Sequence, residues 1–247
     1  MLAAAGNPSE IVDLSATTVS QPASLLANAA RYVVVDLSLS VLHDVLGAAT
    51  ANFPAMESRG IVGEPVFGLE ASERSGGRRM ILLLGSLIGR YDPAEARLQL
   101  AQIRRSMLPG DTLLMGVDTL KEERRLHDAY DDPTGVFGAY VRNSLRRANR
   151  EVGTDFQSAD WQTVVDVQST RGCVEIRLEA RRALSVSAGR IGGHWSFLPG
   201  ESIVAERNYK PSEGQAAATA LAAGFSIAGA WTDCGLGYAV FLLSLQN

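Results

Sequence analysis

The stretch Ile81-Leu82-Leu83-Leu84-Gly85-Ser86-Leu87-Ile88-Gly89-Arg90-Tyr91-Asp92 decides the fold. Four apolar residues run into Gly-Ser, a second Gly follows, and Asp92-Pro93 opens a helix. A short apolar run bounded this way reads as a buried parallel strand. Its carboxyl end leads into a tight turn, and in an α/β sheet ligands sit at that end.

Working outward, the same alternation recurs. Residues 11–14 read as a first strand, and residues 22–30 are rich in Ala and Leu and read as helical. Residues 32–37 are β-branched and close on an acid, Asp36, which marks a second strand. A helix over 38–51 follows, with Ser38 or Ser40 as its N-cap. A short third strand covers 61–64, and 80–85 is the fourth. Residues 93–107 form a helix with Asp92 as N-cap and Pro93 at its first position. After the turn Leu108-Pro109-Gly110-Asp111, residues 113–117 make a fifth strand. This alternation predicts a doubly wound parallel sheet.

The pattern then changes. Residues 132–151 read as loop and helix, and 161–184 hold strand segments, among them Val174-Glu175-Ile176-Arg177-Leu178. Residues 202–207 are another strand-like piece. A helix over 216–224 ends on a Gly C-cap. Residues 227–233 and 238–245 return to the first sheet as a strand pair. The division expected is 1–130 with 215–247 as one Rossmann-like domain, and 131–214 as a smaller inserted α+β domain.

Composition narrows the function classes. A chain of 247 residues that is 46% hydrophobic and 20% charged can bury a sizeable core. A net charge of −4 gives no basic surplus for nucleic acid. The two cysteines and three histidines (His43, His127, His194) lack metal-ligand spacing. Neither a signal peptide nor a membrane span is read from the sequence, so a cytoplasmic location is expected.

Three blocks carry a resemblance: the stretch above, Leu108 to Asp118, and Ala129-Tyr130-Asp131-Asp132-Pro133-Thr134-Gly135-Val136. Together they resemble the histidine-specific α-N-methyltransferases of ergothioneine biosynthesis, whose relatives methylate other amino acids such as prenylated tryptophan. The likeness runs from about Ile11 to the C-terminus. It implies a Rossmann-like class I methyltransferase fold and S-adenosylmethionine (SAM) as cofactor. On that resemblance the cofactor residues are Asp13, Ser15, Thr17, Asp36, Gly63, Glu64, Gly85 and Ser86. Asp13 and Leu14 match the family's acid-Leu-Gly-Ser-Gly turn, while Ser15 and Thr17 stand at its two glycines. Gln21 stands near its lysine. Crowding by Ser15 and Thr17 is expected to weaken SAM binding. Asp36 closes the second strand about twenty residues on, where a carboxylate can accept both ribose hydroxyls. Its alternative is a helix-capping or surface acid. Gly63-Glu64 answers a family Gly-Asp beside the adenine, and Arg90 stands where an Asn is common.

The resemblance places the amino-acid pocket in the inserted domain, at Tyr140, Val141, Ile176, Glu206 and Asn208. Val141 replaces an Asn that grips the amino and carboxylate groups. Val offers no hydrogen bond, so histidine is not the expected substrate. Glu206, the imidazole's partner in histidine-specific members, is kept, and its Ser companion has become Asn208. The alternative for Glu206 is a surface acid paired with Arg207 or Lys210. Family members carry a helical segment before the first strand, and this chain begins about ten residues before Ile11. The expectations are therefore a small-molecule substrate and a homodimer or partner chain that completes an open cleft walled by Leu87, Ile88, Val136 and Phe137. The function expected is SAM-dependent N-methyl transfer to an amino acid or amino-acid-derived metabolite. The alternative is a methyltransferase fold turned to a non-methylating reaction such as a cyclisation, or to a non-catalytic partner role.

Overall fold

A computed structural model of the chain describes residues 6–16, 23–131, 133–233 and 235–246. In chain order the elements begin β1 (Glu10–Asp13), α1 (Ala23–Leu26), β2 (Arg31–Asp36), α2 (Leu39–Asn52), β3 (Glu57–Val62) and α3 (Pro65–Ala71). Next come β4 (Arg79–Leu83), α4 (Pro93–Arg105), β5 (Thr112–Asp118), α5 (Glu123–Tyr130) and α6 (Val136–Val152). The rest are β6 (Trp161–Gln168), β7 (Cys173–Ala180), β8 (Leu184–Ser187), β9 (His194–Phe197), β10 (Ser202–Tyr209), α7 (Glu213–Ala222), β11 (Phe225–Asp233) and β12 (Tyr238–Leu245). Two compact units result: Met1–Thr119 with Pro211–Asn247, and Leu120–Lys210.

The first unit is built on a seven-stranded sheet in the order β11-β12-β5-β4-β1-β2-β3. β12 runs antiparallel to both neighbours, and the other pairings are parallel. Strands buried on both faces must be apolar on alternate residues of both sets. Here Val12, Val33, Val35, Ile81, Leu83, Leu113 and Met115 face a core closed by Leu100 and Ile103 of α4 and Ala216 and Ala220 of α7. Ile11, Tyr32, Val34, Met80, Leu82 and Leu114 face the other, closed by Leu42, Val45 and Ala49 of α2. Strand order reverses between β1 and β4, the position where a doubly wound sheet opens a crevice.

Local chemistry fixes the helix starts. Ser38 caps α2 by accepting the Val41 N–H, and Asp92 caps α4 in a full capping box with Glu95. α3 lay outside the sequence reading. Its signal is Pro65 at the first helical position, and its Gly68 lies so close to Val35 that a Cβ would overlap that side chain.

In the second unit β10, β7 and β6 form an antiparallel sheet, and β8 pairs with β9 as a separate hairpin. Val141 and Leu145 of α6 pack on Trp161, Ile176, Leu178 and Val186. The Trp161 ring lies edge-on to Phe156 and Phe197, with centroids 5.6 and 5.0 Å away. α5 belongs to this unit, which therefore begins ten residues or so before the boundary expected from the sequence.

Candidate functional site

The carboxyl ends of β1, β2, β3 and β4 share one edge of the large sheet, because these strands are parallel and in register. Asp13, Asp36, Gly63, Glu64, Gly85 and Ser86 all fall at that edge. Thr17 and Gln21 lie outside the described residues.

At the end of β1 the Asp13 carboxylate is fully buried. Oδ1 accepts from the Ser15 N–H and from the Ser15 hydroxyl, each at 2.9 Å, and Oδ2 accepts from the Tyr32 hydroxyl at 2.9 Å. Burial, and then the Asp13 charge and hydrogen bond, hold the Tyr32 phenol far above its ordinary pKa. Ser15 Oγ in turn accepts from the Leu84 N–H at 2.9 Å. The Ser15 side chain is thus turned into the protein, toward Asp13 and β4.

The Gly85-Ser86 turn after β4 places two successive residues in the left-handed region, with φ of 62° and 58°. For Ser86 that conformation costs on the order of 1 kcal/mol. Two long-range bonds hold it. Gly85 N–H donates to the Tyr238 hydroxyl at 3.1 Å, and Asp118 N–H donates to Ser86 Oγ at 3.0 Å. Tyr238 reaches Gly85 across Gly116 of β5, where a Cβ would overlap the Tyr238 hydroxyl. Burial, foremost, pushes the Tyr238 phenol pKa up, against the Gly85 and Ser86 amides that pull it down.

Asp36 ends β2 half-buried. Its Oδ1 accepts the Ser38 N–H at 2.7 Å, and among the described residues Oδ2 has no partner. Its backbone carbonyl accepts the Gly63 N–H at 3.2 Å, which ties the ends of β2 and β3 together. Among the described residues, a Cβ on Gly63 or on Gly85 would meet nothing within 4 Å. Glu64 is exposed and makes no side-chain cap bond to α3. Its charge, after burial, raises the pKa of Tyr91. Among the described residues, the edge therefore offers one carboxylate oxygen without a partner and two uncovered glycine faces. Those groups fit a ligand with a vicinal diol, as SAM has. No group of three or more His, Cys, Asp or Glu side chains fit to hold a metal occurs among the described residues. Nor is any described helix long and apolar enough to cross a membrane.

In the second unit the pairing register sorts the β10 side chains. Glu206 stands opposite Ile176 and Asn208 opposite Val174, and directly paired residues share a face. Both therefore lie on the inner face with Ile176, toward α6. The register slips between Val204 and Glu206. This bulge gives Glu206, and not Ala205, the inward position. Arg207 lies on the outer face and donates to Glu175 Oε2 at 2.7 Å, and the Lys210 ammonium sits 5.3 Å from the centre of the Tyr130 ring. Glu206 has no hydrogen bond or ion pair with any described residue. The Asn208 Nδ2 is buried without a partner among the described residues. Such a group costs about 1–3 kcal/mol unless something accepts from it.

The other three residues read as substrate contacts behave differently. Val141 and Ile176 are buried in the hydrophobic core of the unit at 5% and 0% exposure, while Tyr140 is 71% exposed. Of the four side chains expected to wall an open cleft, Ile88 is buried, Leu87 packs against the same core, and Phe137 is half-buried edge-on to Tyr130. Only Val136 is exposed. The sequence reading passed over Tyr32, Gly116, Asp118 and Tyr238. Gly116 alone carried a signal, since an isolated Gly inside an apolar strand marks a close approach.

A family model described as histidine-specific methyltransferase, SAM-dependent, matches residues 1–245. The histidine N-alpha-methyltransferase of Mycolicibacterium smegmatis is 32% identical over 203 residues, which are 82% of this chain and 63% of that protein. The protein of the same name from Mycobacterium tuberculosis is 34% identical over equal shares. The chain thus spans less than two thirds of the length of these relatives. Among solved structures, the CcbJ methyltransferase of Streptomyces caelestis aligns with a TM-score of 0.54 at 14% identity, over 99% of this chain and 92% of that one. A SAM-dependent methyltransferase of Clostridium acetobutylicum aligns at 0.51 and 10%, over 96% and 84%. At such identities these likenesses speak to the fold, which is that of class I methyltransferases.

Proposed function

The chain belongs to the histidine-specific, SAM-dependent methyltransferase family, and on that premise we propose that it transfers a methyl group from SAM to the amine of an amino acid or amino-acid-derived metabolite. The observation that carries this reading is the convergence of Asp36, Gly63 and Gly85 at one sheet edge, where one carboxylate oxygen and two glycine faces have no neighbour among the described residues. SAM, when bound, supplies a methyl group on a sulfonium; the amine nitrogen bonds that carbon as the sulfur–carbon bond breaks, and S-adenosylhomocysteine remains. Asp36 holds the ribose hydroxyls, Gly63 and Glu64 border the adenine, and Gly85 and Ser86 border the amino-acid end of the cofactor. Such a transfer needs the amine lone pair held in line with the methyl group more than it needs an acid or a base. No buried base is required of the chain beyond what frees the amine of its proton.

For the acceptor we propose the inner face of β10. Glu206 supplies an unpaired carboxylate, and the Asn208 amide supplies a buried donor that wants an acceptor. A substrate side chain with both a donor and an acceptor satisfies the two together. Histidine is the substrate named for the two mycobacterial relatives. Val141 counts against it here, because an apolar side chain packed in the core cannot grip the amino and carboxylate groups. A lost charged hydrogen bond costs about 1.5–3 kcal/mol.

Incubation with SAM and a panel of amino acids, histidine included, followed by mass spectrometry, tests the proposal. Methylation of an α-amino group other than that of histidine is the expected result. Efficient formation of methylhistidine would overturn the substrate assignment, and no S-adenosylhomocysteine from any acceptor would overturn the activity.

A further inference from the structure

On the resemblance drawn from the sequence, Ser15 stands at a glycine position, which invites the reading of a crowded, weakened cofactor turn. The geometry points elsewhere. Ser15 is not among the residues with positive φ, so glycine's special freedom is not needed there. Its hydroxyl does what backbone does one residue earlier. Leu14 N–H donates to the Leu82 carbonyl at 2.9 Å, as a parallel ladder requires. The next rung of that ladder would be the Leu84 N–H on the Leu14 carbonyl. Instead Leu84 N–H donates to Ser15 Oγ at 2.9 Å. The hydroxyl proton is directed to Asp13 Oδ1 at 2.9 Å, which leaves the oxygen lone pairs for the amide. Asp13 is fixed in turn by Tyr32, also at 2.9 Å. The chain can therefore leave the sheet after Leu14 with the end of β4 still satisfied, and the turn after β1 is pinned to the residue that precedes Gly85.

We propose that Ser15 is a positioning residue of the cofactor site, which acts by pinning the turn after β1 to the turn after β4. This rests on the reading of that edge as the SAM site. On this reading the Ser15 hydroxyl supports the turn and does not crowd it.

Three variants, S15A, S15G and S15T, are titrated with S-adenosylhomocysteine in a calorimeter, and hydrogen exchange at the Leu84 amide is followed in the ligand-free proteins. A crowding effect would make S15A and S15G bind tighter. The expected result is the reverse. S15A and S15G each bind about five- to tenfold more weakly, the worth of one hydrogen bond. Their Leu84 amide exchanges faster, and S15T, which keeps the hydroxyl, stays close to the unaltered protein in both. Tighter or unchanged binding in S15G, unaltered Leu84 exchange, or an S15T no better than S15A would overturn the role. If the unaltered protein itself binds no S-adenosylhomocysteine, the cofactor reading of the edge fails and the role falls with it. If it binds and the variants match it, the positioning role alone is wrong.

Discussion

Asp13 and Tyr32 show what a single buried pair contributes. A phenol whose pKa is raised in the folded state binds its proton there more tightly than in the unfolded chain, where it titrates near about 10. The stability this gives is complete below that pH and is lost as pH rises beyond it, because the unfolded state then binds fewer protons. Each further pH unit costs about 1.4 kcal/mol for one such group. Tyr32 is the buried extreme, and burial raises Tyr91 and Tyr238 as well. Urea unfolding at pH 9 and pH 11 is expected to show a large loss in the unaltered protein and a smaller one in Tyr32→Phe. Equal losses would mean that Tyr32 is not held neutral. At this scale the sequence revealed some residues and hid others. The place of Asp36 at the end of β2 was legible because an acid at a strand end is a local pattern. The inward set of Ser15 was not, since its partner lies 69 residues away. The role of Tyr238 was equally hidden, 153 residues from Gly85.

Elements were legible where the apolar period and the caps agreed. β2, β4 and β5, and the helices α2 and α4 with Ser38 and Asp92 as caps, fall within a residue or two of where the sequence puts them. The β8–β9 hairpin, with four residues in each strand, was too short and too polar to register, and α3 was passed over despite its leading proline. A bulge leaves no mark in composition, yet the one in β10 decides that Glu206 faces inward. Gly116 makes a comparable decision in β5, because the Tyr238 hydroxyl occupies the volume that a methyl group would take. Gly116→Ala is expected to displace Tyr238, strip Gly85 of its acceptor and cost about 1–3 kcal/mol. Urea midpoints would check this against Tyr238→Phe, which loses only the hydroxyl. A Gly116→Ala protein as stable as the unaltered one would show that the ring can move without cost.

The whole molecule follows from one sheet and one insertion. The alternation of strands and helices through Asp118 gives a parallel sheet, closed by an antiparallel β12, and strand order reverses between β1 and β4, the position where doubly wound sheets open a crevice. What alternation could not tell is which side chains hold that edge in shape, since those contacts join strands distant in sequence. At the opposite end of the same strands, Arg79 is buried against Glu10 at 2.9 Å and Arg31 approaches the same carboxylate at 3.4 Å. One end of the sheet thus closes on ion pairs, and the proposed cofactor site lies at the other. The central claim is that this other edge binds SAM through Asp36. Titration of the unaltered protein and of Asp36→Ala with S-adenosylhomocysteine measures it directly. Saturable one-to-one binding in the former, weakened at least tenfold in the latter under conditions where both proteins remain folded, is the expected result. Equal affinity in both, or no binding in either, would contradict it.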